Sequence, residues 1–148
     1  MGRKINAQEY LEQVAKLDAM INNKLVEQQQ WYDIALGITA NMEGERVQSS
    51  GAKQKMADAI NKCVDMQNEI NDLVDAFIDS KKDVIHTIEQ LYSPVEYDVL
   101  HKRYIQNIDL KDIADYYGKD YDWAKNTCKR GRDHVQVILN KKRRNDTK

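Results

Sequence analysis

Proline occurs once in the 148 residues and glycine six times. That is too few turn-makers for a sandwich or barrel of many short strands. Two cysteines, Cys63 and Cys128, cannot staple a disulfide scaffold, and their wide separation supplies no C-x-x-C metal knuckle. No apolar stretch exceeds a few residues, so no membrane span is expected. The opening MGRKINAQEYLEQ lacks the apolar core of a secretory signal, and a reducing, cytoplasmic setting follows. Phosphate-binding, dinucleotide-binding, nucleophile-elbow and zinc-protease motifs are all missing. His86, His101 and His134 stand far apart with no carboxylate or cysteine at ligand spacing. The chain is therefore expected to be no enzyme, with no catalytic residue, metal or cofactor.

What is present is charge, unevenly placed. Charged residues make up 32% and hydrophobic ones 41%, and the formal net charge is −1. Residues 1–92 carry 10 Lys/Arg against 15 Asp/Glu, a net of −5, whereas residues 93–148 carry 13 against 9, a net of +4. From Lys125 onward the ratio is 9 to 2. Positive charge gathered at one end points to an acidic polymer as partner.

The first half reads as two long helices. Tyr10, Val14, Leu17, Ile21, Lys24, Gln28, Trp31 and Ala35 follow one another in steps of four and three, which keeps them on one face. Met56, Ile60, Cys63, Gln67, Ile70, Val74, Phe77, Lys81, Val84, Ile88 and Leu91 do the same over five heptads, roughly 50 Å of helix. Gly37, Gly44, Gly51 and the Ser49–Ser50 pair interrupt the period, so residues 37–54 are expected to form a loop. The prediction is an antiparallel coiled-coil hairpin over 1–92, with helices at about 7–36 and 55–91. Polar Gln67 and Lys81 in the stripe would fix register at some cost in stability. The end from Val84 to Leu91 outruns the first helix, leaving it for a second subunit or for the C-terminal domain.

A boundary is expected at Ser93-Pro94-Val95-Glu96. Ser93 caps, Pro94 suits a first helical turn, and Glu96 is placed to complete a capping box. Three short helices are predicted to follow. The first covers about 94–105, then comes a turn at Gln106–Asp109 with Asp109 as N-cap. The second is Leu110–Tyr117, stopped by Gly118. The third, capped by Asp120, runs from Tyr121 to about Leu139, leaving a basic tail over 141–148. Six of the eight tyrosines lie between 92 and 121. Two readings fit them: stacking on the bases of a single strand and, favoured by their helical spacing, filling a small core with hydroxyls at the surface.

A short helix, a glycine turn and a longer basic helix meet the demands of a helix-turn-helix. Ala114 and Ala124 are small enough for a close helix crossing. Gly118 tolerates a left-handed backbone. Lys125, Asn126, Lys129, Arg130 and Arg132 offer donors for phosphates and base edges.

The segment LKDIADYYGKDYDWAKNTCKRG, residues 110–131, resembles the helix-turn-helix of sigma-factor region four, and YDVLHKRYI at 97–105 is similar to the helix preceding it. The likeness covers about residues 93–139. With its acidic helices and the VQSSG segment at 47–51, the whole chain resembles small phage-encoded transcriptional regulators of the ArpU and RinA type. The resemblance implies an all-α protein, a coiled-coil hairpin followed by a C-terminal helix-turn-helix domain over 93–140. The helix from about Tyr121 would enter a −35-type major groove of double-stranded DNA. Tyr121, Asp122, Trp123, Lys125, Asn126, Lys129, Arg130 and Arg132 are its expected contacts, with Lys141, Lys142, Arg143 and Arg144 adding nonspecific attraction. About five phosphate contacts predict a slope of log affinity on log salt near −4 to −5. Where many such domains start the recognition helix with Ser or Thr, this one has Asp120, Asp122 and Trp123, and no promoter-melting segment is present. RNA polymerase is a further expected partner through the acidic hairpin, and self-association as a dimer is expected. Two other readings fit the pattern: a small DNA-packaging subunit, and a sigma-like module docking on polymerase without reading DNA.

Overall fold

The computed structural model of the chain describes residues 5–44 and 50–146. Five helices account for nearly all of them, and no strand occurs among the described residues. Helix α1 spans Ala7–Gly44 and α2 Ser50–Ile88. Helix α3, Pro94–Leu100, runs on as one turn of π-helix, His101–Ile105. Helices α4, Leu110–Tyr117, and α5, Tyr121–Asp146, complete the chain.

The expected loop at 37–54 is largely helical. Residues 37–44 extend α1 and 50–54 open α2, while 45–49 lie outside the described residues. Isolated glycines cost a helix only about 1 kcal/mol each, and long helices absorb that. The basic tail is likewise no separate segment, because α5 continues through Asp146. No glycine or proline follows Gly131, and Asn140 accepts bonds from Gln136 (3.1 Å) and Arg143 (2.5 Å) on its own helix.

The chain divides into two compact units, and the division falls within the long helices instead of at Ser93. The first unit comprises the chain up to Lys16 and from Phe77 onward. Its core takes Ala7, Leu11 and Val14 from α1, Val84 and Ile88 from α2, Val99, Leu100 and Tyr104 from α3 and its π turn, Ile113 from α4, and Cys128 and Val135 from α5. Val84 and Ile88 are fully buried there, so the end of α2 is covered by the chain's own C-terminal helices. Of the two occupants expected for that end, the C-terminal helices pack on it, and the start of α1, expected to fall short of it, joins them. Polar contacts tie the same elements together. Tyr10 donates to Asp83 and lies 2.8 Å from the Thr87 hydroxyl, and the amide of Ala7 donates to Gln136 at 2.8 Å. Burial, then the Asp83 carboxylate, push the Tyr10 phenol well above its ordinary range.

The second unit is Leu17–Ala76, a stretch of each long helix. The two run antiparallel: Lys24 pairs with Glu69 at 3.0 Å, and Gln28 donates to the carbonyl of Cys63 (3.1 Å) and to Gln67 (3.0 Å). Here the buried positions of α2 are Ala59, Met66 and Ile70, while Ile60 and Gln67 of the predicted seam are exposed. At two positions the seam shifts by one residue, from Ile60 to Ala59 and from Gln67 to Met66, while Ile70 keeps its place. Gln67 sits at the wet rim because its amide is committed to Gln28 and to Asn71 (2.9 Å).

Candidate nucleic-acid interface

The C-terminal helices are set by caps that the residues themselves dictate. Ser93 Oγ accepts from the amide of Glu96 at 3.3 Å, with Pro94 in the first turn. The capping box is not completed, because the buried Glu96 carboxylate instead lies 2.5 Å from His134 Nδ1 and joins α3 to α5. After the π turn, Asn107 adopts a left-handed φ of 58°, and the amide of Ile108 donates to Lys102 O at 2.9 Å. Asparagine tolerates that conformation better than most side chains. Asp109 has the extended backbone of an N-cap, but its side chain makes no capping bond.

Gly118 ends α4 with φ 65°. The amides of Gly118 and Lys119 turn back to Asp115 O (3.1 Å) and Ala114 O (2.9 Å), which satisfies carbonyls the helix leaves open. Asp120 Oδ1 then accepts from the amide of Trp123 at 2.8 Å and opens α5. Ala114 and Ala124 are buried as α4 and α5 pack together. Gly131 is needed for the approach of α3: a Cβ there would lie 3.0 Å from Leu100 Cδ1 and Cγ, and Leu100 is fully buried.

The twelve expected contact residues separate into groups. Lys125, Asn126, Lys129 and Arg130 are exposed on α5, with Arg130 donating to Thr127 at 3.3 Å. Helical spacing places Lys125, Asn126 and Lys129 on one face, bracketed by exposed Asp122 and Asp133. Tyr121 is exposed at the start of the helix. Trp123 turns inward, half-buried against the core with its ring 5.1 Å from that of Tyr117. Arg132 also turns in, donating to Tyr104 OH (3.4 Å) and Cys128 Sγ (3.2 Å). Burial works against its charge, but those bonds outweigh burial and hold its pKa above the usual value. Lys142 lies 3.4 Å from Asp83, and Arg143 donates to Asn140. Lys141 and Arg144 are exposed.

The tyrosines also separate. Tyr104 is buried and Tyr97 and Tyr117 pack on the core, whereas Tyr92, Tyr116 and Tyr121 are exposed. Tyr117 donates to Asp98, which Lys102 also approaches at 2.8 Å. Burial pushes the Asp98 carboxyl up, but the bonds from Lys102 and Tyr117 prevail and hold it below the usual carboxylate range. Lys119, exposed beside Gly118, is a cation at the turn that the reading of α5 alone passed over. Its position next to the left-handed glycine was the available signal.

Among the described residues no group of His, Cys, Asp and Glu is placed to hold a metal ion. No helix among them is long and apolar enough to cross a membrane. No family model, curated protein or solved structure matches the chain. Its chemistry therefore rests on what these helices present. Helix α5 presents Lys125, Lys129 and Arg130 to solvent between exposed Asp122 and Asp133.

Proposed function

We propose that the chain is a sequence-specific DNA-binding transcriptional regulator, of the kind phages encode, in which α4, the Gly118 turn and α5 act as a helix-turn-helix. The observation that carries this reading is the cluster of exposed Lys125, Asn126, Lys129 and Arg130 early in α5, directly after the turn. A helix fits the major groove, where lysine and arginine neutralise phosphates or pair with guanine and asparagine pairs with adenine. Asp122 and Asp133 limit the face to about three turns, because a carboxylate beside a phosphate is repelled. Arg132 and Trp123 support this face from inside by holding α5 against Tyr104 and Tyr117.

With Arg132 turned inward, Lys142 beside Asp83, and Arg143 and Arg144 engaged within the chain, Lys125, Lys129, Arg130 and Lys141 remain for phosphate contact. The expected slope of log affinity on log salt is then about −3 to −4. Selection from a random duplex pool, followed by anisotropy titration of the selected sequence at several salt concentrations, tests this. The double variant Lys129→Ala/Arg130→Ala should lose specific binding and keep its helicity. A flat salt response, or unchanged affinity in that variant, removes α5 from DNA recognition.

A further inference from the structure

One edge of α5 carries a second row beside the face of Lys125, Asn126 and Lys129. Arg130, His134, Val137 and Lys141 follow in steps of four, three and four, so they line one edge, and all four are exposed. The row contains no acid, whereas the neighbouring face is bounded by Asp122 and Asp133. From Arg130 to Lys141 it runs about 16 Å along the helix.

His134 differs from its neighbours in that row. Its side chain is 60% exposed, yet Nδ1 lies 2.5 Å from Oε1 of Glu96, whose side chain is only 10% exposed. An ionised carboxylate accepts and does not donate, so this contact draws the ring proton to Nδ1 and leaves Nε2 for an outside partner. A neutral ring offers Nε2 as an acceptor, and a protonated ring offers it as a donor. A backbone phosphate only accepts, so it bonds the protonated ring alone. The charged groups around His134 are Glu96 from α3 and, on α5 itself, Arg130 and Lys141 along the row and Asp133 next to it in sequence. The two cations oppose a second proton on the ring, whereas the carboxylates and an incoming phosphate favour it.

We propose that His134 binds a phosphate of the duplex backbone through Nε2, taking up a proton from solvent as it does. Arg130 and Lys141 meet phosphates on either side, so this edge of α5 lies along one strand's backbone. Phosphate contacts fix register, and the adjoining face with Asn126 and Lys129 is then left to read bases. Glu96 is a positioning residue, holding the ring from the core side. The proposal rests on the reading of α5 as a DNA-binding helix and adds to it a contact and a proton.

Anisotropy titration of a labelled mixed-sequence duplex tests it, because a phosphate contact acts on any sequence. Titrations at several salt concentrations are run at about pH 6 and about pH 8, either side of the range in which histidine changes charge. The parent should bind roughly tenfold tighter at the lower pH, as expected for one charge-assisted hydrogen bond. Its slope of log affinity on log salt should also be steeper there by about 0.9, for one further phosphate neutralised. His134→Gln should bind alike at both pH values, with the shallower slope and the parent's helicity. His134→Lys, cationic throughout, should bind at the higher pH as tightly as the parent does at the lower, and it carries the test if the glutamine variant does not fold. Binding by the parent that ignores pH, a pH effect that survives in His134→Gln, or a lysine variant that keeps the parent's pH effect overturns this contact and leaves DNA binding by α5 standing. No duplex binding at either pH in low salt removes both.

Discussion

The unit built from the chain's ends and the unit Leu17–Ala76 draw on the same two long helices, yet they bury very different amounts of them. In the first, α1 and α2 contribute Leu11, Val14, Val84 and Ile88 to a core closed by α3, α4 and α5. In the second, Ala35, Ala59, Met66 and Ile70 are the only buried hydrophobics among the described residues, while Leu25, Tyr32, Leu36 and Val64 face outward. The heptad stripes are mostly apolar in both, interrupted by Lys81 in the first unit and by Lys24, Gln28 and Gln67 in the second. Burial therefore depends on how many helices surround a stripe more than on the stripe itself. Two helices can cover only the seam between them, and each flank needs a third or fourth helix.

The strongest way to break this contrast is to make the same truncation in both units. Ile88→Ala should cost about 3–4 kcal/mol, because the site is enclosed on all sides, and Ile70→Ala only about 2 kcal/mol. Urea denaturation at fixed protein concentration measures both, and equal costs would erase the distinction. Gly131→Ala sharpens it from the opposite direction. The added methyl meets fully buried Leu100, and overpacking should outweigh the gain in helix propensity by about 1 kcal/mol. Ser93→Ala should remove a cap worth about 1 kcal/mol and leave the second unit untouched.

The smallest effect concerns pH. Asp98 titrates below its ordinary value of 3.8 in the folded chain, so the unfolded chain takes up its proton first as the solution is acidified. Its contribution is full above about pH 4 and is lost as the pH falls through the folded value. Asp98→Asn should therefore lower stability at neutral pH and flatten part of the acid limb below pH 4. Parallel stability–pH curves for the two proteins would show that the carboxylate does not act through its charge.

Much of the C-terminal region was legible because its signals are local. Ser93, Gly118 and Asp120 each act within four residues of their own position, and each does what its chemistry implies. Glu96 was misread for the opposite reason. A capping box is local, but the competing partner His134 lies 38 residues away, and only packing brings α5 to it. Arg132 and Trp123 were misassigned to the outer face in the same way. Their residue types suit DNA, but the rotation of α5 on Tyr104 and Tyr117 turns them inward. The glycines of 37–54 argue for a loop, but a long helix tolerates single glycines, and residues 37–44 and 50–54 are helical.

By itself the sequence determined that the chain is helical, where its C-terminal helices begin, where α4 stops, and that its positive charge collects near the C-terminus. Those properties follow from caps, turn residues and periodicity, which operate over a few residues. Tertiary structure decided which stripe edges are buried, which cations of α5 face solvent, and that the start of α1 and the end of α2 join the C-terminal helices in one core. Such outcomes depend on competition among distant side chains for the same enclosed space, and spacing along the chain carries no record of that competition.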